Sequence, residues 1–76
     1  MISERLATLL RRVLKLDEFE FRDDTQAFQV PGWDSLRHIE LLTAVEDEYG
    51  IRFRALETLK LKNVGDLQTL IEKKTG

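Results

Sequence analysis

The residues best placed for chemistry stand together near the middle of the chain, in the run Pro31-Gly32-Trp33-Asp34-Ser35-Leu36. Pro31 and Gly32 turn the chain, and Asp34 or Ser35 then starts a helix. A serine there comes directly off a loop and is expected to be exposed. It also lies where unpaired backbone N–H groups and the positive end of the helix dipole stabilise an anion. A phosphate ester on Ser35 is therefore electrostatically favoured, and the Asp34 carboxylate can orient a hydroxyl or a metal ion held by an incoming enzyme. Asp34 and Ser35 are also both good N-cap residues, so spacing alone leaves open whether they do anything more.

His38, the one histidine, follows Ser35 by three positions. A serine–histidine dyad would need an orienting acid and an oxyanion hole, and no signature supplies either. The expectation is a partly buried helix residue, with no catalytic group and no metal site. The chain has no cysteine, which excludes a disulfide framework, a Cys-based zinc site and a thiol nucleophile. Any thioester chemistry must use a sulfur brought from outside. The formal net charge of −2 argues against nucleic acid and anionic membranes, both of which reward a basic face. The apolar N-terminal segment is interrupted by Glu4, Arg5, Arg11 and Arg12 and lacks a cleavage site, so it does not read as a signal peptide. No apolar run approaches a membrane span of about 18 residues. The expectation is a cytoplasmic monomer without membrane insertion.

The elements that must position Ser35 read as follows. With 76 residues, one domain over 1–76 is expected. Ile2, Leu6, Leu9, Leu10, Val13 and Leu14 recur at helical spacing and predict a helix over 2–16, with Ser3 able to cap it. Residues 17–34 form a loop with a possible helical turn near Asp24–Phe28. Phe19, Phe21, Phe28 and Val30 are expected to peg this loop into the core, because so long a connection is otherwise unusual. A helix over 35–50 turns His38, Leu41, Leu42, Val45 and Tyr49 inward, with Glu40, Ala44 and Asp47 outward and Gly50 as its stop. A short helix is expected at about 54–60, with Ile51, Phe53, Leu56, Leu59 and Leu61 supplying apolar contacts. The last helix, 64–74, is capped by Asn63 and turns Val64, Leu67, Leu70 and Ile71 inward. The fold class is all-α: a small bundle of three long helices and one short, with a long ordered loop between the first two.

The run from Trp33 to Ile51 resembles the second helix of acyl carrier proteins: Asp-Ser-Leu opens a helix, then come an apolar-Glu-Leu step, an acidic cluster and an aromatic. Asn63-Val64-Gly65-Asp66-Leu67 resembles the start of that family's last helix, and the resemblance covers nearly the whole chain. It implies a carrier, not an enzyme, with Ser35 taking 4′-phosphopantetheine from coenzyme A through a separate phosphopantetheinyl transferase that uses magnesium, and with Asp34 supporting the attachment. An acyl or aminoacyl group would ride on the arm as a thioester while loading and transfer enzymes do the reacting chemistry.

Partner recognition is expected of Leu36, Arg37, Ile39, Glu40, Thr43 and Asp47; the resemblance implies it for Leu36 and for the acidic face of the helix, while Thr43 stands where the family frequently has a larger apolar residue. Trp33 stands where several specialised carriers have tryptophan, D-alanyl carriers among them. Arg37 departs from the family, since fatty-acid carriers commonly have an acid there. Residues 51–62 depart as well: Arg52, Arg54, Lys60 and Lys62 against Glu57 make this segment basic, where the family's third helix is usually acidic. A specialised pathway, in lipid, cell-envelope, polyketide-like or aminoacyl chemistry, is therefore expected. An ordinary fatty-acid carrier and an unmodified helical interaction module remain alternatives.

Overall fold

The computed structural model describes residues 2–76. Its order is α1 (Glu4–Leu14), a 3-10 turn (Ala27–Gln29), α2 (Ser35–Tyr49), α3 (Ala55–Leu59) and α4 (Val64–Thr75), with no strand among the described residues. The core is built by Leu6, Leu9, Leu10 and Leu14 of α1, Leu41 and Val45 of α2, and Val64, Leu67 and Ile71 of α4.

The helix ends follow from local chemistry. Ser3 stands outside α1, its hydroxyl accepting the Leu6 N–H at 3.2 Å, so the helix starts at Glu4 rather than at Ile2. It stops at Leu14 because Lys15 turns left-handed at φ 58°, and the Leu16 N–H closes back on the Arg11 carbonyl at 2.8 Å. Gly50 ends α2, and Asn63 caps α4 by accepting the Asp66 N–H at 2.8 Å.

The long loop is held by hydrogen bonds as much as by aromatics. The Arg11 side chain donates to the Phe19 carbonyl at 3.1 Å. Val64 and Gly65 N–H groups, at the start of α4, donate to the Thr25 and Asp23 carbonyls, both at 2.8 Å. These are N–H groups that a helix start leaves without internal partners, so one contact satisfies α4 and fixes the loop. The approach is close enough that a Cβ on Gly65 would lie 2.5 Å from the Asp23 carbonyl oxygen.

Four expectations about which side chains face the core also change. Phe21 and Val30 are buried and Phe19 is half-buried, but Phe28 is 72% exposed. The 3-10 turn, closed by reciprocal bonds between Gln26 and Gln29, puts Ala27 inward and Phe28 outward. Ala44 is half-buried against the core instead of outward. The cause is α1, which packs along α2 on the side of Glu48, one turn from Ala44, where Arg5 pairs with Glu48 at 3.0 Å. In α4 the inner position expected for Leu70 goes to Gln68, whose side-chain oxygen accepts the otherwise unpartnered Ser3 N–H at 2.9 Å. In the segment after α2, Ile51, Phe53 and Leu61 pack on the core while Leu56 and Leu59 are 71% and 79% exposed. There α3 turns Glu57 and Thr58 inward, and Glu57 reaches Lys74 of α4 at 2.9 Å.

Candidate functional site

The chain arrives at the site through a tight turn. Pro31 and Gly32 occupy its centre, Gly32 takes φ +81°, and the Trp33 N–H donates to the Val30 carbonyl at 3.3 Å. This is the type II pattern, which needs glycine at its second central residue. Asp34 follows in extended conformation as the N-cap of α2, its Oδ1 accepting the Arg37 N–H at 2.8 Å. Ser35 is therefore the first helical residue, and it is exposed. Its own N–H and that of Leu36 have no partner among the described residues, as expected at a helix start.

Around Ser35 the surface is apolar. An open cleft is lined by Ala27, Phe28, Trp33, Asp34, Ser35, His38 and Ile39. Leu36 and Ile39 are 65% and 63% exposed, unusual for large aliphatic side chains. Arg37 does not extend freely into solvent; its guanidinium pairs with Glu40 at 2.9 Å, so the two charges largely cancel. Thr43 and Asp47 are exposed further along the helix. Leu36, Ile39, Glu40, Thr43 and Asp47 thus all lie on the surface, with Arg37 half-covered.

His38 faces away from nucleophilic chemistry. Its Nδ1 accepts the Trp33 indole N–H at 3.1 Å, with the two rings stacked 6.0 Å apart. That bond uses the basic nitrogen of neutral imidazole, leaving none to activate Ser35. Trp33 thus has a specific partner. Behind the pair lies a small interior pocket of about 40 Å³, lined mainly by Leu41, Leu42, Leu61 and Leu67. Neither this bond nor the exposure of Phe28 had a signal in the sequence, beyond the Gln26–Gln29 spacing that forms the turn.

The helical bundle presents a serine without a side-chain hydrogen bond among the described residues at the mouth of its central helix, within an apolar collar. Residues 4–71 match the family described as Phosphopantetheine attachment site. The acyl carrier protein of Thermotoga maritima is 28% identical over 75 residues, covering 99% of this chain and 93% of that one. Polyketide-8 synthase acyl carrier protein 2 of Streptomyces avermitilis is 32% identical over 74 residues, covering 97% and 85%. The holo acyl carrier protein of Geobacter metallireducens, solved in solution by NMR, superposes with a TM-score of 0.89 at 39% identity, covering 93% of this chain and 82% of that one. The chain belongs to the acyl carrier protein family, whose prosthetic group is phosphopantetheine and whose members carry cargo rather than transform it.

Proposed function

We propose that Ser35 is the attachment point of 4′-phosphopantetheine and that the chain carries an acyl or aminoacyl group for a specialised biosynthetic pathway. The observation that carries this reading is the exposed Ser35 hydroxyl at the first turn of α2. The surroundings fit the group: the unpartnered Ser35 and Leu36 N–H groups suit a phosphate, and the Phe28–Ile39 cleft suits an arm with apolar stretches. In the transfer from coenzyme A, Ser35 Oγ forms a bond to the phosphorus and loses its proton to a base. The phosphoanhydride bond to the nucleotide breaks, and adenosine 3′,5′-bisphosphate leaves. The Asp34 carboxylate is held through Oδ1 by its cap bond, which leaves its second oxygen for the incoming enzyme or its metal ion. Once bound, the group supplies a thiol on a long flexible tether, which raises the local concentration of cargo at any partner site within reach.

The specialised reading rests on charge. In α3 and its flanks the one acid, Glu57, is consumed by Lys74 and the Arg54 N–H, leaving Arg54, Lys60 and Lys62 as exposed charges around Leu56 and Leu59, with Arg52 exposed but 3.7 Å from Glu46. Partners built for an all-acidic carrier meet repulsion there. The reading places the protein in the cytoplasm as a monomer, where it meets a phosphopantetheinyl transferase and acyl- or aminoacyl-loading and transfer enzymes.

Intact mass after incubation with coenzyme A and a phosphopantetheinyl transferase tests the attachment. The native chain gains one arm and Ser35→Ala gains none; a gain that survives Ser35→Ala refutes the assignment. Loading by the malonyl transferase of fatty-acid synthesis tests the pathway. The holo protein is loaded poorly, and reversing Lys60 and Lys62 to glutamate improves loading. Efficient loading of the native chain would favour the ordinary fatty-acid carrier.

A further inference from the structure

The short helix α3 turns polar side chains inward and apolar ones outward. Leu56 and Leu59, three positions apart and so on one side of the helix, stand in solvent, while Glu57 is drawn to Lys74 of α4 at 2.9 Å. Arg54, Lys60 and Lys62 flank the two leucines, all exposed and all without an ion pair among the described residues. Lys60 and Lys73 of α4 together line an open groove that Leu61 and Leu70 also line. The acids of that groove are engaged, Glu57 by Lys74 and Asp66 by the Lys62 N–H at 2.9 Å. The net charge of −2, which by itself argues against an anionic surface, averages this basic face with the acids of α2 and of the loop after α1.

We propose that the outer face of α3 is a docking surface for an anionic phospholipid bilayer, with Leu56 and Leu59 entering the headgroup–acyl boundary and Arg54, Lys60 and Lys62 resting among the phosphates. Charge complementarity and side-chain type both select this occupant. Each lysine or arginine close to an anionic leaflet strengthens binding about fivefold. Lysine stems lie along apolar surface while their ammonium groups stay with the phosphates. A protein–protein interface is anchored mainly by aromatic residues and arginine and is depleted of lysine. α3 instead offers aliphatic anchors with lysines beside them, the composition of a helix that lies in a membrane interface. No helix among the described residues is long and apolar enough to cross a membrane, and the contact proposed is peripheral. Docking is a property of the bare chain and does not require modification of Ser35. A carrier held this way meets acceptors that lie in or on the bilayer, a consequence that does rest on the attachment reading.

The unmodified protein is titrated with vesicles of phosphatidylglycerol and phosphatidylcholine in equal parts, and with vesicles of phosphatidylcholine alone, and the bound fraction is read by sedimentation. The expected result is binding to the anionic vesicles that added salt weakens, with little binding to the neutral ones. Lys60→Gln combined with Lys62→Gln weakens the affinity about 25-fold. Leu56→Ala combined with Leu59→Ala weakens it by about tenfold or more, because hydrocarbon no longer leaves water. All four side chains are exposed, so the variants keep the fold, which circular dichroism checks. Arg12→Gln, an exposed cation of α1, leaves the affinity near native. Equal binding to neutral vesicles overturns the proposal. So does an Arg12→Gln loss as large as that of the lysine pair, or a leucine pair whose loss changes nothing. Vesicles that leave the chain in solution overturn it as well and assign the patch to an acidic protein partner. Mass gain at Ser35 is read in a separate reaction, so failure of docking and failure of attachment are told apart.

Discussion

Replacing Gly65 by alanine pits local propensity against tertiary contact. In an isolated helix the change stabilises by up to about 1 kcal/mol, since alanine is the better helix former. Here the added Cβ would lie 2.5 Å from the Asp23 carbonyl oxygen, 3.0 Å from its Cα and 3.1 Å from its carbonyl carbon. All three are backbone atoms, so no side-chain rotation relieves the overlap. The loop must move off α4. That strains or breaks the bonds from Gly65 to Asp23 and from Val64 to Thr25. Overpacking of this kind costs about 1–3 kcal/mol, and each of the two hydrogen bonds contributes about 1 kcal/mol. Net of propensity, Gly65→Ala destabilises by about 2–3 kcal/mol, which lowers the Tm of so small a domain by roughly 10–20 °C. Thermal denaturation followed by circular dichroism measures it. Amide exchange should also show faster opening at Val64 and Gly65. An unchanged or raised Tm would refute the reasoning, because it would mean that the loop is not clamped to α4.

Three further changes have expected outcomes. Lys15→Gly relieves a side chain held at φ 58° and raises stability by about 0.5–1 kcal/mol, read as a higher Tm; a lower Tm would show that the lysine stem contributes packing of its own. Tyr49 buries its hydroxyl without a partner among the described residues, while its ring carries the Arg5 guanidinium 4.3 Å above its centre. Tyr49→Phe keeps the ring and sheds the unpaired oxygen, so it leaves Tm equal or higher by the equivalent of about 1 kcal/mol; a clear drop in a chemical-denaturation midpoint contradicts this. The backbone N–H of Arg54 and the Lys74 ammonium hold the Glu57 carboxyl below its ordinary value of 4.5. A lowered folded value means that its contribution is present above pH 4.5 and is lost as pH falls through the folded value. Glu57→Gln, which retains an oxygen for the cap, should therefore lower Tm slightly at pH 7 and make no difference near pH 2. An equal difference at both would assign the effect to shape rather than charge.

Much of the architecture was legible because it is local. Apolar spacing in α1 and α2, the caps Ser3 and Asn63, and the Gly50 stop depend on neighbours a few residues away. The place of Ser35 at a helix start is of the same kind, since Pro31, Gly32 and Asp34 settle it within five residues. The misplacements were those of residues whose environment comes from elsewhere in the chain. Phe28 shares its loop and its apolar character with Phe21 and Val30, yet a turn one residue out of step with them puts it in solvent. Leu56 and Leu59 are as apolar as Leu61, but the Glu57–Lys74 pair determines which way a five-residue helix rolls.

By itself, the order of residues determined the helices, the ends set by Ser3, Gly50 and Asn63, and a serine placed where a helix mouth welcomes an anion, because backbone hydrogen bonding and side-chain periodicity act over a few residues. Tertiary structure alone decided what surrounds that serine. Phe28 comes from the loop while Ile39 and His38 come from α2, and Trp33 meets His38 across the junction. Burial and side-chain contact depend on which distant elements approach, and only the packing of the folded chain sets that.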